Sequence, residues 1–102
     1  MDYKTDITKY TDKVNDKAVD SVVKYCGIAL KSRDASLVSC TDEAEVDRIR
    51  KGYATKVLGL SAEESDKVIK HVCEKMKADR TKHRVTFYYL MAEASGKLDS
   101  LA

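Results

Sequence analysis

Apolar residues recur along this chain in steps of three and four, and the polar positions between them leave little room for strands. Tyr3, Ile7, Tyr10 and Val14 predict a first helix of about three turns with one narrow stripe. Asn15 then offers an N-cap, and Val19, Val22, Val23, Cys26, Ala29 and Leu30 form a wider stripe on a second helix ending near Lys31. Gly27 interrupts that stripe, as close packing against a neighbouring helix would require. Asp34 is placed to cap a single turn containing Leu37 and Val38.

Asp42, with Glu45 three residues later, gives a capping-box-like start to a third helix, along which Val46, Ile49, Tyr53 and Val57 recur. Gly59 falls where a left-handed C′ residue belongs, and Leu60 follows as its hydrophobic contact. Ser61-Ala62-Glu63-Glu64 is a capping box in strict form, opening a fourth helix whose stripe is Val68, Ile69, Val72, Cys73 and Met76. From Lys77 to His83 neither glycine nor proline compels a break, so a kinked continuous helix and a fresh helix capped by Asp79 are both open.

Val85 to Ala94 has a different pattern. Val85, Tyr88, Tyr89 and Ala92 define one face, while Phe87, Leu90, Met91 and Ala94 define another. A helix apolar on two faces must be surrounded, either as the centre of a bundle or beneath a second subunit. Such a partner would meet Phe87, Tyr88, Met91 and Leu98. Beyond Gly96 the pattern predicts a frayed tail.

Composition agrees with helices. Proline is absent and glycine occurs four times in 102 residues, which removes the turn chemistry of a many-stranded fold. A chain of this length hides about 65% of its unfolded surface, enough for one core. The expectation is all-α: a single domain over 1–102, a compact bundle of about five helices with an apolar C-terminal helix.

Charge is dense and balanced, 19 basic against 17 acidic side chains. No run of about 18 apolar residues exists, so no membrane partner is expected, and the polar opening segment reads as cytoplasmic. Cys26, Cys40 and Cys73 are odd in number and widely spaced, which predicts three reduced thiols rather than a disulfide framework. Cys40, in a polar connection just before a helix start, is the most reachable of them, although Asp42 and Glu43 oppose a thiolate.

The strongest charge feature lies between Lys67 and Arg84, where seven basic residues face only Glu74 and Asp79. Lys75, Lys77, Arg80, Lys82 and Arg84 could contact an anion or the phosphates of a nucleic acid. The plainer reading is that lysines solvate the outer face of an amphipathic helix. Asp79, Arg80 and His83 are the nearest approach to an acid, anion clamp and base, but no motif supports a catalytic residue. His71 and Cys73 point away from each other on a helix, and His71-x-x-Glu74 lacks a second copy, so no metal or cofactor is expected.

The run Met76-Lys77-Ala78-Asp79-Arg80-Thr81-Lys82-His83-Arg84-Val85-Thr86-Phe87-Tyr88-Tyr89-Leu90 resembles a bacterial family known only as domain of unknown function 2853. Met1-Asp2-Tyr3-Lys4, Gly27-Ile28-Ala29-Leu30, Arg33-Asp34-Ala35-Ser36-Leu37-Val38, Leu58-Gly59-Leu60 and Gly96-Lys97-Leu98 are similar to it as well. The resemblance implies a small helical intracellular protein and assigns no reaction, ligand or catalytic residue. The expected function is a non-enzymatic interaction module that associates with itself, a homodimer being the simplest form. The alternative is weak nucleic-acid or anion binding through the strip 67–84.

Overall fold

A computed structural model describes residues 3–12, 14–31, 36–79 and 82–101. The fold is all-α. Its elements are α1 (Tyr3–Ile7), α2 (Asp16–Cys26), a 3₁₀-helix (Gly27–Lys31), α3 (Glu43–Ile49), a π-helix (Arg50–Val57), α4 (Ala62–Lys75), α5 (Arg84–Ala94) and α6 (Leu98–Leu101).

Three predicted starts are made as expected. Asn15 accepts from the Ala18 amide at 3.1 Å, and Asp42 accepts from the Ala44 and Glu45 amides at 3.0 and 3.3 Å. At α4 the box closes both ways: Glu64 N–H donates to Ser61 Oγ at 3.1 Å, and Ser61 N–H donates to Glu64 Oε1 at 3.2 Å. The turn predicted from Asp34 lies outside the described residues.

Other boundaries moved for identifiable reasons. The first helix stops at Ile7 and continues only as turns to Thr11, with the Thr8 hydroxyl donating to the Thr5 carbonyl at 2.5 Å. Gly27 ends α2 because its φ of +34° is left-handed, not because a neighbour crowds it: an added Cβ would meet nothing within 4 Å. After Ile49 the backbone widens to i→i+5 bonding, so that Leu58 N–H donates to the Tyr53 carbonyl at 3.1 Å. The wider turn rotates Ala54 and Leu58 into the core and leaves Val57, expected on the buried stripe, 37% exposed. Leu60 still closes the end, donating to the Ala54 carbonyl at 3.0 Å with its side chain buried.

The chain breaks between α4, which ends at Lys75, and α5, which begins at Arg84. Residues 77–78 form a turn, and His83 is extended because Leu37 and His83 form an antiparallel bridge. There the Val38 amide donates to the Lys82 carbonyl at 2.8 Å and the Arg84 amide to the Ser36 carbonyl at 2.7 Å. Helix and bridge cannot share those backbone groups.

Helix α5 is the centre of the bundle, packed by α1, α2, α4 and α6 of the same chain. Every residue from Val85 to Ala92 is buried, including Thr86, whose hydroxyl donates to the buried Asp6 carboxylate. The Tyr89 hydroxyl accepts from the Asn15 amide at 2.9 Å, so this polar end is satisfied as well. The predicted frayed tail is corrected: Gly96, at φ +72°, turns the chain into α6, which lies on α2 with the Ser21 hydroxyl donating to the Leu101 carbonyl. Among the described residues no helix is long and apolar enough to cross a membrane.

The expectation of three reduced thiols is also corrected. Cys40 and Cys73 form a disulfide across 33 residues, their Cα atoms 6.0 Å apart. Sequence spacing gave no hint of it, because the Leu37–His83 bridge is what folds the chain before α3 back toward the end of α4. Cys26 remains a free, buried thiol.

Candidate functional site

Where α2 ends, three tyrosines from three elements meet. Tyr53 from the π-helix and Tyr88 from α5 are stacked with centroids 4.0 Å apart and planes 11° off parallel. The Tyr53 hydroxyl donates to the Tyr88 main-chain carbonyl at 3.0 Å, which fixes the inner ring. Tyr25, on α2, leans over both at 5.3 Å from Tyr53 and 6.1 Å from Tyr88. Tyr53 and Tyr88 are buried, whereas Tyr25 is 45% exposed.

Arg84, in the first turn of α5, secures this cluster from beneath. Its guanidinium donates to the Tyr88 hydroxyl at 2.9 Å and the Leu37 carbonyl at 3.3 Å, and it pairs with the Glu45 carboxylate. Glu45 was expected to reach back to its own N-cap; it is drawn across to Arg84 instead. The two side chains are only 12% and 10% exposed, so this is an interior ion pair held by further hydrogen bonds.

Burial sets the proton affinities here. It raises the Tyr53 hydroxyl well above its ordinary value of 10.0 and pushes the Cys26 thiol up to about 11, with Arg84 opposing the latter shift. The Tyr88 hydroxyl is also raised by burial, again against the pull of Arg84. Groups held neutral in this way are poor nucleophiles and bases at neutral pH. What the cluster offers is one partly exposed aromatic ring with a fixed orientation.

A second polar group lies around α1. Buried Asp6 accepts from Thr86 and pairs with Lys9 at 3.1 Å. Asp79 accepts from the Tyr10 hydroxyl at 2.7 Å, and His83 meets the Tyr3 ring edge-on at 6.1 Å. Asp79 and His83 therefore do not share a helical face, and Arg80 lies outside the described residues. Among the described residues no group of three His, Cys, Asp or Glu side chains converges to hold a metal ion.

The family model described as "Protein of unknown function (DUF2853)" matches residues 2–99 of the 102-residue chain. The chain belongs to this family. No curated protein matches it. Membership in DUF2853 supplies a pattern over nearly the whole chain, and the functional reading rests on where the side chains lie.

In this DUF2853 chain the basic strip separates into unlike parts. Lys75 pairs with Glu93 at 3.7 Å, Lys82 donates to the Asp79 carbonyl at 2.8 Å, Lys77 is exposed, and Arg84 points inward to Glu45. The candidate contact residues on the apolar helix fare differently as well. Phe87, Tyr88 and Met91 are buried by the chain's own helices, and Leu98 is half-buried against the core. Of the two coverings considered for this helix, the same chain supplies one.

No functional role was read from the sequence for Tyr25, Tyr53 or Glu45. Tyr25 did carry a signal, since it is a large aromatic outside the apolar stripe of α2. Tyr53 looked like an ordinary stripe residue, and nothing local tied Glu45 to Arg84.

Proposed function

We propose that this protein is a non-enzymatic interaction module that associates with a second copy of itself through the face around Tyr25. The supporting observation is that Tyr25 is 45% exposed while its ring rests on the buried Tyr53–Tyr88 stack. An aromatic side chain already immobilised loses little rotamer freedom on association, and tyrosine is favoured at the energetic centres of interfaces. Among the described residues the other exposed large apolar side chain is Val57, on the π-helix that carries Tyr53. A two-fold contact would set one such face against its copy, so that no separate complementary surface is needed.

The polar chemistry of the chain supports this reading over catalysis. Asp6, Glu45, Asp79, Arg84 and Tyr10 are engaged with one another or with Thr86, Lys9, Leu37 and Tyr88. A concentration series of two-dimensional amide NMR spectra tests it. Shifts that grow with concentration should cluster at Lys24 and Tyr25 and spare Met91; shifts confined to α5 and α6 would place the contact elsewhere.

Anion binding is a second reading, favoured by one observation. An open depression of about 460 Å³ is lined by Arg48, Lys51 and Lys56 against the single acid Asp47, with Ala44 and Gly52 between them. If it binds phosphate groups, titration with inorganic pyrophosphate at low salt should shift the Gly52 amide, and added salt should abolish the effect.

A further inference from the structure

Residues 36–42 are secured at both ends. At the first end the Leu37–His83 bridge uses the Val38 and Arg84 amides, and the Leu37 carbonyl accepts from the Arg84 guanidinium at 3.3 Å. At the second end Cys40 is bonded to Cys73 on α4. Between them only Val38 is fully buried, while Ser39 and Thr41 share an exposed hydrogen bond at 3.3 Å. A segment with so little buried apolar surface belongs to the weakly held part of a fold unless a covalent bond supports it.

The three cysteines differ in kind. Cys26 is buried among core residues, and its thiol is pushed up to about 11 by that burial. Exchange proceeds through a thiolate, so Cys26 is withheld from it. Cys40 and Cys73, by contrast, sit half-buried at the margin of the core.

We propose that the Cys40–Cys73 bond is a reversible thiol–disulfide site for small thiols and disulfides, whose opening releases residues 36–42 and the Arg84–Leu37 contact while α2, α4 and α5 stay packed. In the opening step the thiolate of a dithiol attacks one sulfur and expels the other cysteine as a thiolate, which takes up a proton. The second thiol of the reductant, as its thiolate, then attacks the reductant's own sulfur in the mixed disulfide; the bond to the protein breaks, the second cysteine leaves as a thiolate and takes up a proton, and the reductant departs as a cyclic disulfide. The two cysteines gain two electrons and two protons, and the reductant loses them. Closure runs the other way, with a low-molecular-weight disulfide such as oxidised glutathione as the oxidant. Self-association through Tyr25 is not required for any of this.

The test uses the full chain in native buffer, before and after dithiothreitol, with intact mass, iodoacetamide labelling and amide hydrogen exchange as readouts. Reduction should add about 2 Da and expose two alkylatable thiols, Cys40 and Cys73, with Cys26 unlabelled until denaturant is added. Exchange at Val38 and Arg84 should speed up roughly tenfold or more while amides within α2 and α4 keep their protection. Oxidised glutathione should restore the first pattern, and the double variant Cys40→Ser/Cys73→Ser should reproduce the second. A bond that resists dithiothreitol until the chain is denatured would overturn the proposal. So would reduction that leaves Val38 and Arg84 unchanged, or reduction that unfolds α2 and α4 along with them.

Discussion

The Tyr53 hydroxyl donates to the main-chain carbonyl of Tyr88 at 3.0 Å while the two rings stack at 4.0 Å. One residue thus joins the π-helix to the central helix by a polar and an apolar contact at once. The two can be separated experimentally. Tyr53→Phe keeps the ring and leaves the Tyr88 carbonyl short of a donor, with an expected loss of about 1 kcal/mol. Tyr53→Ala also removes the stacked ring and should cost about 4 kcal/mol. Urea denaturation followed by circular dichroism measures both, and equal losses would show that the ring contributes nothing beyond its hydroxyl.

Arg84 and Glu45 form an interior pair, so removing one partner strands the other. Arg84→Leu should destabilise by about 3 kcal/mol, because the largely buried Glu45 carboxylate is then left with only the exposed Arg48, at 3.7 Å, to offset its charge. The double variant Arg84→Leu/Glu45→Leu should fall short of the summed single losses by about 1 kcal/mol or more. Strict additivity in a thermal or chemical denaturation cycle would mean that the two side chains are not coupled.

Alkaline pH should destabilise the protein ahead of ordinary tyrosine ionisation in the folded state. Burial raises Cys26 from 9.0 to about 11 and raises Tyr53 and Tyr88 above 10.0, and for Tyr10 burial and the bond to Asp79 act in the same direction. A raised folded value means that the unfolded chain releases these protons first. The associated stability is complete below about pH 9 and is lost as pH climbs through the folded values. The phenolate absorbance of Tyr10, Tyr53 and Tyr88 should therefore appear only in step with loss of helical signal; all six tyrosines ionising while the helices persist would contradict the assigned burial.

Much of this architecture was legible because it is local. Asn15, Asp42 and the Ser61–Glu64 pair satisfy helix ends within a few residues, and Gly59 with Leu60 marks a stop by the same short-range chemistry. The enclosed helix was also legible, since apolar residues on two faces of one helix have to be covered. The illegible parts depend on distant segments. The break between α4 and α5 follows from Leu37 pairing with His83, and the disulfide follows from that same fold-back.

The site was less legible than the fold. A π-helix changes which residues face inward: Val57 lost its place to Ala54 and Leu58, a shift that counting in threes and fours misses. The basic strip looked uniform because sequence gives charge without direction, yet Arg84 turns into the protein toward Glu45. Tyr25 gained meaning only once Tyr53 and Tyr88 were seen beneath it.

The central claim is that Tyr25, fixed on the Tyr53–Tyr88 stack, anchors association between copies of this chain. Sedimentation equilibrium of the wild type and of Tyr25→Ala, each over micromolar to submillimolar concentrations, tests it most directly. The wild type should show a monomer–dimer equilibrium that weakens roughly 30-fold or more in Tyr25→Ala, the size expected for an interface hot spot of about 2 kcal/mol. A wild type that stays monomeric throughout the range, or a dimer indifferent to the loss of Tyr25, would contradict it.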